Sequence, residues 1–112
     1  MKLDLHVHTT HSGHTTIYPL SLIMKESYNT PGGVYERAKA RGMDLVTITD
    51  HDEIAGALTI ADRPDVIVGC EVTGVFPNDD VRVHLGVLGI TEAQHAEIQR
   101  LRHDVLDLMP YL

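Results

Sequence analysis

Two histidines separated by one residue stand near the start of the chain. Polar and aliphatic residues alternate through residues 2–8, which predicts a β-strand whose side chains point alternately to two faces. His6 and His8 share one face with Asp4, while the aliphatic side chains occupy the other face. Two imidazoles on one strand face can reach the same metal ion or neighbouring ions. For this segment alone, the alternative is a solvent-exposed edge strand that carries histidines by chance.

The histidine-rich segment continues beyond the predicted strand, so that four histidines fall within nine positions. Eight histidines in a chain of 112 residues are the anomaly of an otherwise ordinary globular composition. His11 and His14 lie in the following loop and compete for one ligand position, for which we favour His14. The segment therefore predicts a metal site that receives further ligands from later parts of the chain.

Three further side chains of ligand type lie on or directly after other predicted strands. They are His51 after residues 45–49, Glu71 within residues 66–72 and His84 within residues 81–90. The carboxyl ends of strands are where open α/β sheets and barrels place their chemistry. A carboxylate at the end of a buried strand needs a partner, because burying a bare charge is costly. For Glu71 this partner is a metal ion or, alternatively, Arg63 or Arg82 in a salt bridge.

His51 and His84 each have an alternative interpretation without a metal. His51 can be exposed while Asp50 or Asp52 caps the following helix, with Asp52 the preferred cap. A single histidine on an apolar strand, such as His84, is more often a hydrogen-bonded core residue than a ligand. The presence of the other candidate ligands favours metal binding for both histidines.

The predicted strands are separated mainly by helical segments, which indicates the α/β class with a mainly parallel sheet. Helices are predicted over residues 31–41, 53–61 and 91–112. Thr30 is expected to cap the first helix, and Thr91 with Gln94 matches a capping box for the last. The turn between the last two strands is too short for a crossover helix, so that pair is expected to be antiparallel or irregular.

Composition and charge limit the classes of function. The length predicts one domain, and the formal net charge of −7 without a basic run does not indicate nucleic acid as a partner. The single cysteine, Cys70, excludes an intramolecular disulfide and is expected to be a small core residue in a reducing, cytoplasmic protein. The sequence shows no signal peptide and no apolar run of membrane-spanning length, so no membrane partner is expected.

Four motifs together resemble the polymerase and histidinol phosphatase (PHP) family. They are Leu3-Asp4-Leu5-His6-Val7-His8-Thr9, Ile48-Thr49-Asp50-His51-Asp52, Gly69-Cys70-Glu71-Val72 and His84-Leu85-Gly86-Val87-Leu88-Gly89. The resemblance implies part of a distorted (β/α)7 barrel, with about four strands and helices on the outer face. It also implies that residues 1–112 form the amino-terminal portion of a longer domain, because the family supplies further ligands later in its sequence.

The resemblance also implies a ligand set for up to three divalent metal ions, with zinc, manganese and iron left open. His6 and His8 would hold one ion, and Glu71 would bridge it to a second ion that is also held by His84. His14 and His51 would hold a third ion. Many relatives have Ser-Asp-Gly at the loop position where this chain has Ser12-Gly13-His14, which is closer to the histidine version of some phosphatases of the family.

The function that the resemblance implies is hydrolysis of phosphate esters by metal-activated water, at least in the intact parent protein. The substrate would be a phosphorylated small molecule or nucleotide, and Asp50 is the candidate catalytic acid, with His11 as a further candidate. The alternative is a non-catalytic metal-binding or self-assembling half-domain that is inactive by itself. A partial barrel exposes an unpaired sheet edge, so a homodimer that completes the half-barrel is also expected.

Overall fold

The computed structural model describes residues 1–12 and 29–112. Its centre is a three-stranded mixed sheet in the order β1 (Val46–Ile48), β2 (Val66–Val75) and β3 (Arg82–Leu88). The first two strands are parallel and the last two antiparallel, which confirms the α/β class and the antiparallel alternative for the last pair. The sheet is therefore mixed rather than mainly parallel, and the expected partial barrel stays a prediction. None of the helices in the described part of the chain has the length and hydropathy needed to cross a membrane.

The amino-terminal segment is not a fourth strand, contrary to the prediction for residues 2–8. It runs beside β1 with a bend at Leu5, and its bonds to the neighbouring segment use threonine side chains as well as backbone groups. The Thr49 backbone N–H donates to Val7 O at 2.7 Å, and Thr47 Oγ1 donates to Asp4 O at 2.6 Å. Because threonine hydroxyl groups replace part of the backbone hydrogen-bond ladder, the side chains of this segment do not alternate strictly between two faces. Leu5 is 53% exposed, whereas Val7 packs against the core.

Within residues 1–12 and 29–65, two α-helices precede β2. Helix α1 (Pro31–Ala40) begins as predicted, with the Thr30 hydroxyl accepting a hydrogen bond from the Gly33 backbone N–H. After α1, Gly42 has a positive φ of 80°, the left-handed conformation that glycine adopts after a helix. Helix α2 (Ala55–Leu58) is a single turn, shorter than the predicted segment over residues 53–61.

The carboxyl-terminal segment contains two helices instead of the one predicted over residues 91–112. Helix α3 (Glu92–Leu101) begins with the predicted capping box of Thr91 and Gln94. Helix α4 (Val105–Tyr111) begins after Asp104, whose carboxylate accepts a hydrogen bond from the Leu106 backbone N–H at 2.8 Å. Asp104 is extended, with φ −140° and ψ 107°, because its side chain competes for the backbone donors of the next turn. The apolar periodicity continues across this break and conceals it in the sequence.

The hydrophobic core consists of two adjoining clusters on one face of the sheet, and the opposite face carries polar side chains. One cluster joins Cys70 and Val72 of β2 to Ile98 and Leu108 of the last two helices. Because neighbouring residues of a strand face opposite sides, Glu71 points away from this cluster. Cys70 is buried, which confirms its expected place in the core. Burial is the largest of the effects that raise the pKa of its thiol to about 12.

Candidate metal centre

The carboxylate of Glu71 lies at the centre of four imidazole rings. Its Oε2 atom is 3.0 Å from His6 Nε2, 3.0 Å from His8 Nε2 and 3.4 Å from His51 Nδ1. Its Oε1 atom is 3.2 Å from His84 Nδ1. Glu71 is only 8% exposed, whereas the side chains of His6 and His84 are 65% and 48% exposed. The cluster is therefore anchored by a buried carboxylate and open to solvent at two of its histidines.

Local backbone pairing brings His51 to Glu71. The chain after β1 continues the parallel alignment, with an isolated bridge between His51 and Glu71. The Glu71 backbone N–H donates to Asp50 O at 3.0 Å, and the Asp52 backbone N–H donates to Glu71 O at 3.0 Å. This extension of the parallel register fixes the spacing between the two candidate ligands more tightly than a flexible loop would.

The antiparallel register of β2 and β3 places His84 beside the same carboxylate. Gly86 lies directly opposite Glu71, and His84 lies opposite Thr73, two positions along the strand. A Cβ atom at Gly86 would meet no other atom within 4 Å, so the glycine leaves open space in front of Glu71. That space belongs to a cavity of about 240 Å³, whose lining residues are Leu5, His6, Thr49, Glu71, His84 and Gly86.

Two overlapping groups of side chains have the proximity that a metal ion requires. His6, His8 and Glu71 form one group, and His51, Glu71 and His84 form the other, with the ligand atoms of each group within 4.8 Å of one another. Glu71 belongs to both groups, as the sequence resemblance implies. The geometry places His51 with His84, whereas the resemblance assigns His51 to a third ion together with His14. His14 lies outside the described residues.

Burial and charge shape the protonation of His8 and Glu71. Desolvation and then the neighbouring His51 lower the pKa of His8, so His8 is neutral at pH 7. Burial alone would raise the pKa of Glu71, but the hydrogen bond from His6 and the electrostatic interactions with His51, His6 and His8 outweigh burial and lower it. A neutral imidazole beside an ionised carboxylate is the protonation pattern that metal ligands need.

The salt bridges considered as an alternative partner for Glu71 do not form among the described residues. The guanidinium group of Arg63 lies over the Tyr35 ring, 4.5 Å from its centroid. Arg82 is exposed at the far end of the register between β2 and β3, opposite Val75. The negative charge of Glu71 is therefore faced by histidines rather than by arginine.

Asp50 and Asp52 do not occupy the positions that the sequence suggested. Asp50 is fully buried, and its carboxylate accepts hydrogen bonds from the Thr9 backbone, the Thr9 hydroxyl and the Ser12 hydroxyl. Asp52, the preferred cap of the next helix, instead accepts a hydrogen bond from the Thr73 backbone N–H at 2.7 Å. Glu53 contacts the first N–H groups at α2, accepting from Ile54 and Ala55.

Asp50 does not line the cavity beside Glu71, and His11, the other candidate acid, is an exposed residue of the 3-10 turn Thr10–Ser12. A catalytic role for Asp50 stays a prediction.

Ser12 is a member of this site that the sequence did not single out. Its hydroxyl lies 2.8 Å from His8 Nδ1, and it accepts a hydrogen bond from the His51 backbone N–H at 3.2 Å. The turn that presents Ser12 is held by the Ser12 N–H, which donates to Thr9 O at 3.0 Å. The signal in the sequence is a serine four residues after a candidate ligand, which is too common to single out by itself.

The chain is similar in sequence to one curated protein and in fold to two solved structures. An uncharacterized protein of Methanocaldococcus jannaschii is 31% identical over 93 residues, an alignment that spans 72% of this chain and 53% of that protein. A solved structure from Bifidobacterium adolescentis, assigned as a metal-dependent phosphoesterase, has a TM-score of 0.58 and 26% identity over 91% of this chain. An amidohydrolase from Chromobacterium violaceum, solved with sulfate and no metal, has a TM-score of 0.60 and 29% identity over 89% of this chain.

These matches cover only part of the larger proteins. The chain spans about half the length of the curated relative, and 34% and 32% of the two solved chains. No family model matches the chain. The fold is therefore one that occurs in metal-dependent phosphoesterases and amidohydrolases, and the likeness supports a hydrolase in general.

Proposed function

We propose that this chain carries the amino-terminal metal-binding part of a PHP-type phosphoesterase, which hydrolyses phosphate esters with the help of divalent metal ions. The observation that carries the proposal is the position of Glu71 between two histidine groups, each of the size of a metal site. The fold shared with a protein assigned as a metal-dependent phosphoesterase supports the same conclusion.

The donor set fits a divalent metal ion. Imidazole nitrogen and carboxylate oxygen are ligands that zinc, manganese and iron all accept. Four ring nitrogens converge on one carboxylate at 3.0–3.4 Å, a density of ligand atoms that a structural salt bridge would not need. Each group offers three protein ligands, and catalytic zinc sites typically use three protein ligands and keep one position open. The donors therefore match a catalytic site better than a closed structural one.

The chemistry of the reaction divides between the ions and the protein. Divalent ions, when bound, lower the pKa of water and neutralise charge on phosphate oxygens. The protein supplies fixed ligand positions: His51 and Glu71 through the parallel bridge, and His84 through the register of β2 and β3. Glu71 belongs to both ligand groups and would therefore be shared by two ions.

The cavity in front of Glu71 suits a small, charged group. Its volume of about 240 Å³ and its lining of two histidines, a threonine and Gly86 leave room for a phosphoryl group next to the ligands. Sulfate, the anion bound in the Chromobacterium structure, has the shape and charge type of phosphate. We infer that the substrate is a phosphorylated small molecule or nucleotide whose phosphate enters past the exposed His6 and His84.

Hydrolysis of p-nitrophenyl phosphate and bis-p-nitrophenyl phosphate tests the proposal, with zinc, manganese or iron(II) added to the chelator-treated protein. Activity should require metal. In Glu71→Gln it should fall by more than the roughly 10- to 100-fold loss that follows removal of a ligand's hydrogen-bond partner, because a charged ligand shared by two ions is lost. Glu97→Gln is the matched control, because Glu97 pairs with Arg100 on exposed helix α3, away from the cluster. Metal-independent hydrolysis, or equal activity in both variants, would contradict the assignment. Cleavage of p-nitroacetanilide alone would instead favour amide hydrolysis.

The second candidate function is a metal-binding half-domain without catalysis. The partial coverage of the solved structures supports it, because about two thirds of each solved chain lies outside the part that these 112 residues match. Stoichiometric metal binding without hydrolysis of any ester would favour this candidate. A homodimer with bound metal and esterase activity would favour completion of the site by a second copy.

A further inference from the structure

We propose that Ser12 is a positioning residue that fixes the tautomer of His8, so that His8 presents an unprotonated Nε2 to the candidate metal site. The inference rests on the proposed function for the role of His8 as a ligand. The tautomer itself follows from hydrogen bonds between residues of this chain, and it can be measured without any metal.

The argument begins at the buried carboxylate of Asp50. A carboxylate only accepts hydrogen bonds, so the two hydroxyl groups that are hydrogen-bonded to the fully buried Asp50 must donate. Ser12 Oγ lies 2.9 Å from Asp50 Oδ1, and Thr9 Oγ1 lies 2.6 Å from Asp50 Oδ2. Ser12 therefore donates its single hydroxyl hydrogen to Asp50.

The direction of the hydrogen bond from Ser12 to Asp50 determines whether Ser12 donates to His8 or accepts from it. With its hydrogen directed at Asp50, Ser12 Oγ can only accept, so His8 Nδ1 at 2.8 Å must carry the donated hydrogen. A neutral His8 then has its lone pair on Nε2. That atom lies 2.8 Å from His6 Nε2, from which it accepts a hydrogen bond, and 3.0 Å from Glu71 Oε2, within the first candidate ligand group. Metal-bound histidines generally use one ring nitrogen while the other donates to a fixed acceptor, and Ser12 provides that acceptor here.

The same hydroxyl also connects the two ligand groups. Ser12 Oγ accepts the His51 backbone N–H at 3.2 Å, so one oxygen contacts a member of each group. The rings of His8 and His51 stack with centroids 4.5 Å apart and an interplanar angle of 23°. Loss of the Ser12 hydroxyl should therefore disturb His8 first and the spacing to His51 second.

Long-range ¹H–¹⁵N correlation spectra of the metal-free, ¹⁵N-labelled chain at mildly alkaline pH test the tautomer directly. A His8→Gln variant assigns the His8 signals. We expect the Nδ1–H tautomer in the wild type, a shift toward the Nε2–H tautomer in Ser12→Ala, and restoration in Ser12→Thr, which keeps a hydroxyl. An Nε2–H tautomer of His8 in the wild type would overturn the proposal. The wild-type spectrum gives this result whether or not Ser12→Ala folds.

Zinc affinity, measured by competition with a chromophoric chelator, tests the consequence. Ser12→Ala should bind zinc about 10- to 100-fold more weakly, the range found when the hydrogen-bond partner of a ligand is removed. Ser12→Thr should stay near the wild-type affinity. Thr91→Ala is the matched control, because it removes a hydroxyl cap from the distant helix α3. Equal affinity of Ser12→Ala and wild type, or equal losses in Ser12→Ala and Thr91→Ala, would overturn the proposal.

The two readouts separate this inference from the proposed function. Absence of zinc binding by the wild-type chain would contradict the proposed metal site. The Nδ1–H tautomer of His8, lost in Ser12→Ala and restored in Ser12→Thr, would still support the role of Ser12.

Discussion

Gly56 lies where helix α2 comes closest to the Asp50 network, and a methyl group there should destabilise the protein. A Cβ atom at Gly56 would lie 2.7 Å from Asp50 Oδ2, 2.9 Å from Thr9 Oγ1 and 3.2 Å from His11 Cβ. The first two distances are shorter than contacts of real Cβ atoms, and the Asp50 carboxylate cannot move without losing its donors. Gly56→Ala therefore has to displace either α2 or the turn that carries Ser12.

Two opposing effects determine the magnitude. Alanine is favoured over glycine inside a helix by about 0.5–1 kcal/mol, although a four-residue helix gives the lower end of this range. Overpacking a buried site costs about 1–3 kcal/mol. The net loss in the free energy of unfolding should be about 1–2 kcal/mol, which corresponds to a decrease in Tm of roughly 5–15 °C.

Urea denaturation of the 112-residue chain measures this difference, and Gly32→Ala is the control. A Cβ atom at Gly32, within α1, would meet nothing within 4 Å, so only the helix preference acts there. Gly32→Ala should be stabilising by about 0.5–1 kcal/mol. If Gly56→Ala were stabilising by the same amount, the tight contact with Asp50 and Thr9 would be refuted.

Three further predictions concern the pH dependence, Asp52 and Cys70. Because the pKa of His8 is lowered from 6.5 and that of Glu71 from 4.5, the unfolded chain binds protons before the folded chain does. The free energy of unfolding of the metal-free chain should therefore decrease below pH 6.5 and decrease more steeply below pH 4.5. A free energy of unfolding that stays constant down to pH 4 would contradict this prediction. Asp52→Ala removes the acceptor of the Thr73 N–H at a position with φ 52° and should cost about 1–3 kcal/mol in urea denaturation, whereas Asp52→Asn should cost less. Cys70 is 0% exposed with a pKa of about 12, so at pH 8 its reaction with Ellman's reagent should be limited by unfolding, and rapid labelling of the native chain would contradict its burial.

Most of the sheet could be predicted from the sequence because its strands are short apolar runs that end in polar residues. The run from Val66 to Val72 predicts β2, and its alternation correctly separates Cys70 on the core face from Glu71 on the opposite face. The amino-terminal segment has the same alternation but lacks a full ladder. The hydroxyl of Thr47 bonds to the backbone of that segment, and no pattern of hydrophobicity indicates such a bond.

The candidate ligands could be predicted from residue type, but their grouping could not. His51 and His84 are separated by 33 positions, and only the combined parallel and antiparallel registers bring both to Glu71. The break at Asp104 and the left-handed conformation of Asp52 were also missed. The Asp104 side chain competes with the expected helix pattern for the backbone N–H of Leu106, whereas Asp52 accepts its hydrogen bond from Thr73, 21 positions away.

The role of Ser12 depends on Asp50, which lies 38 positions away. The sequence resemblance makes Asp50 a candidate catalytic acid. The structure shows a buried acceptor whose donors hold the turn beside His8. These two roles are distinguished by the direction of the hydrogen bonds at Asp50. That direction can be assigned only when all the groups around the carboxylate are known.

The most direct test of the central claim is the metal content of the protein purified without chelator, measured by elemental mass spectrometry. The wild type and Glu97→Gln should hold near-stoichiometric zinc, manganese or iron, because Glu97 lies outside both ligand groups. Glu71→Gln should lose most of the metal, because Glu71 belongs to both groups. Metal at background level in the wild type, or equal metal content in all three proteins, would contradict the assignment of the Glu71 cluster as a metal centre.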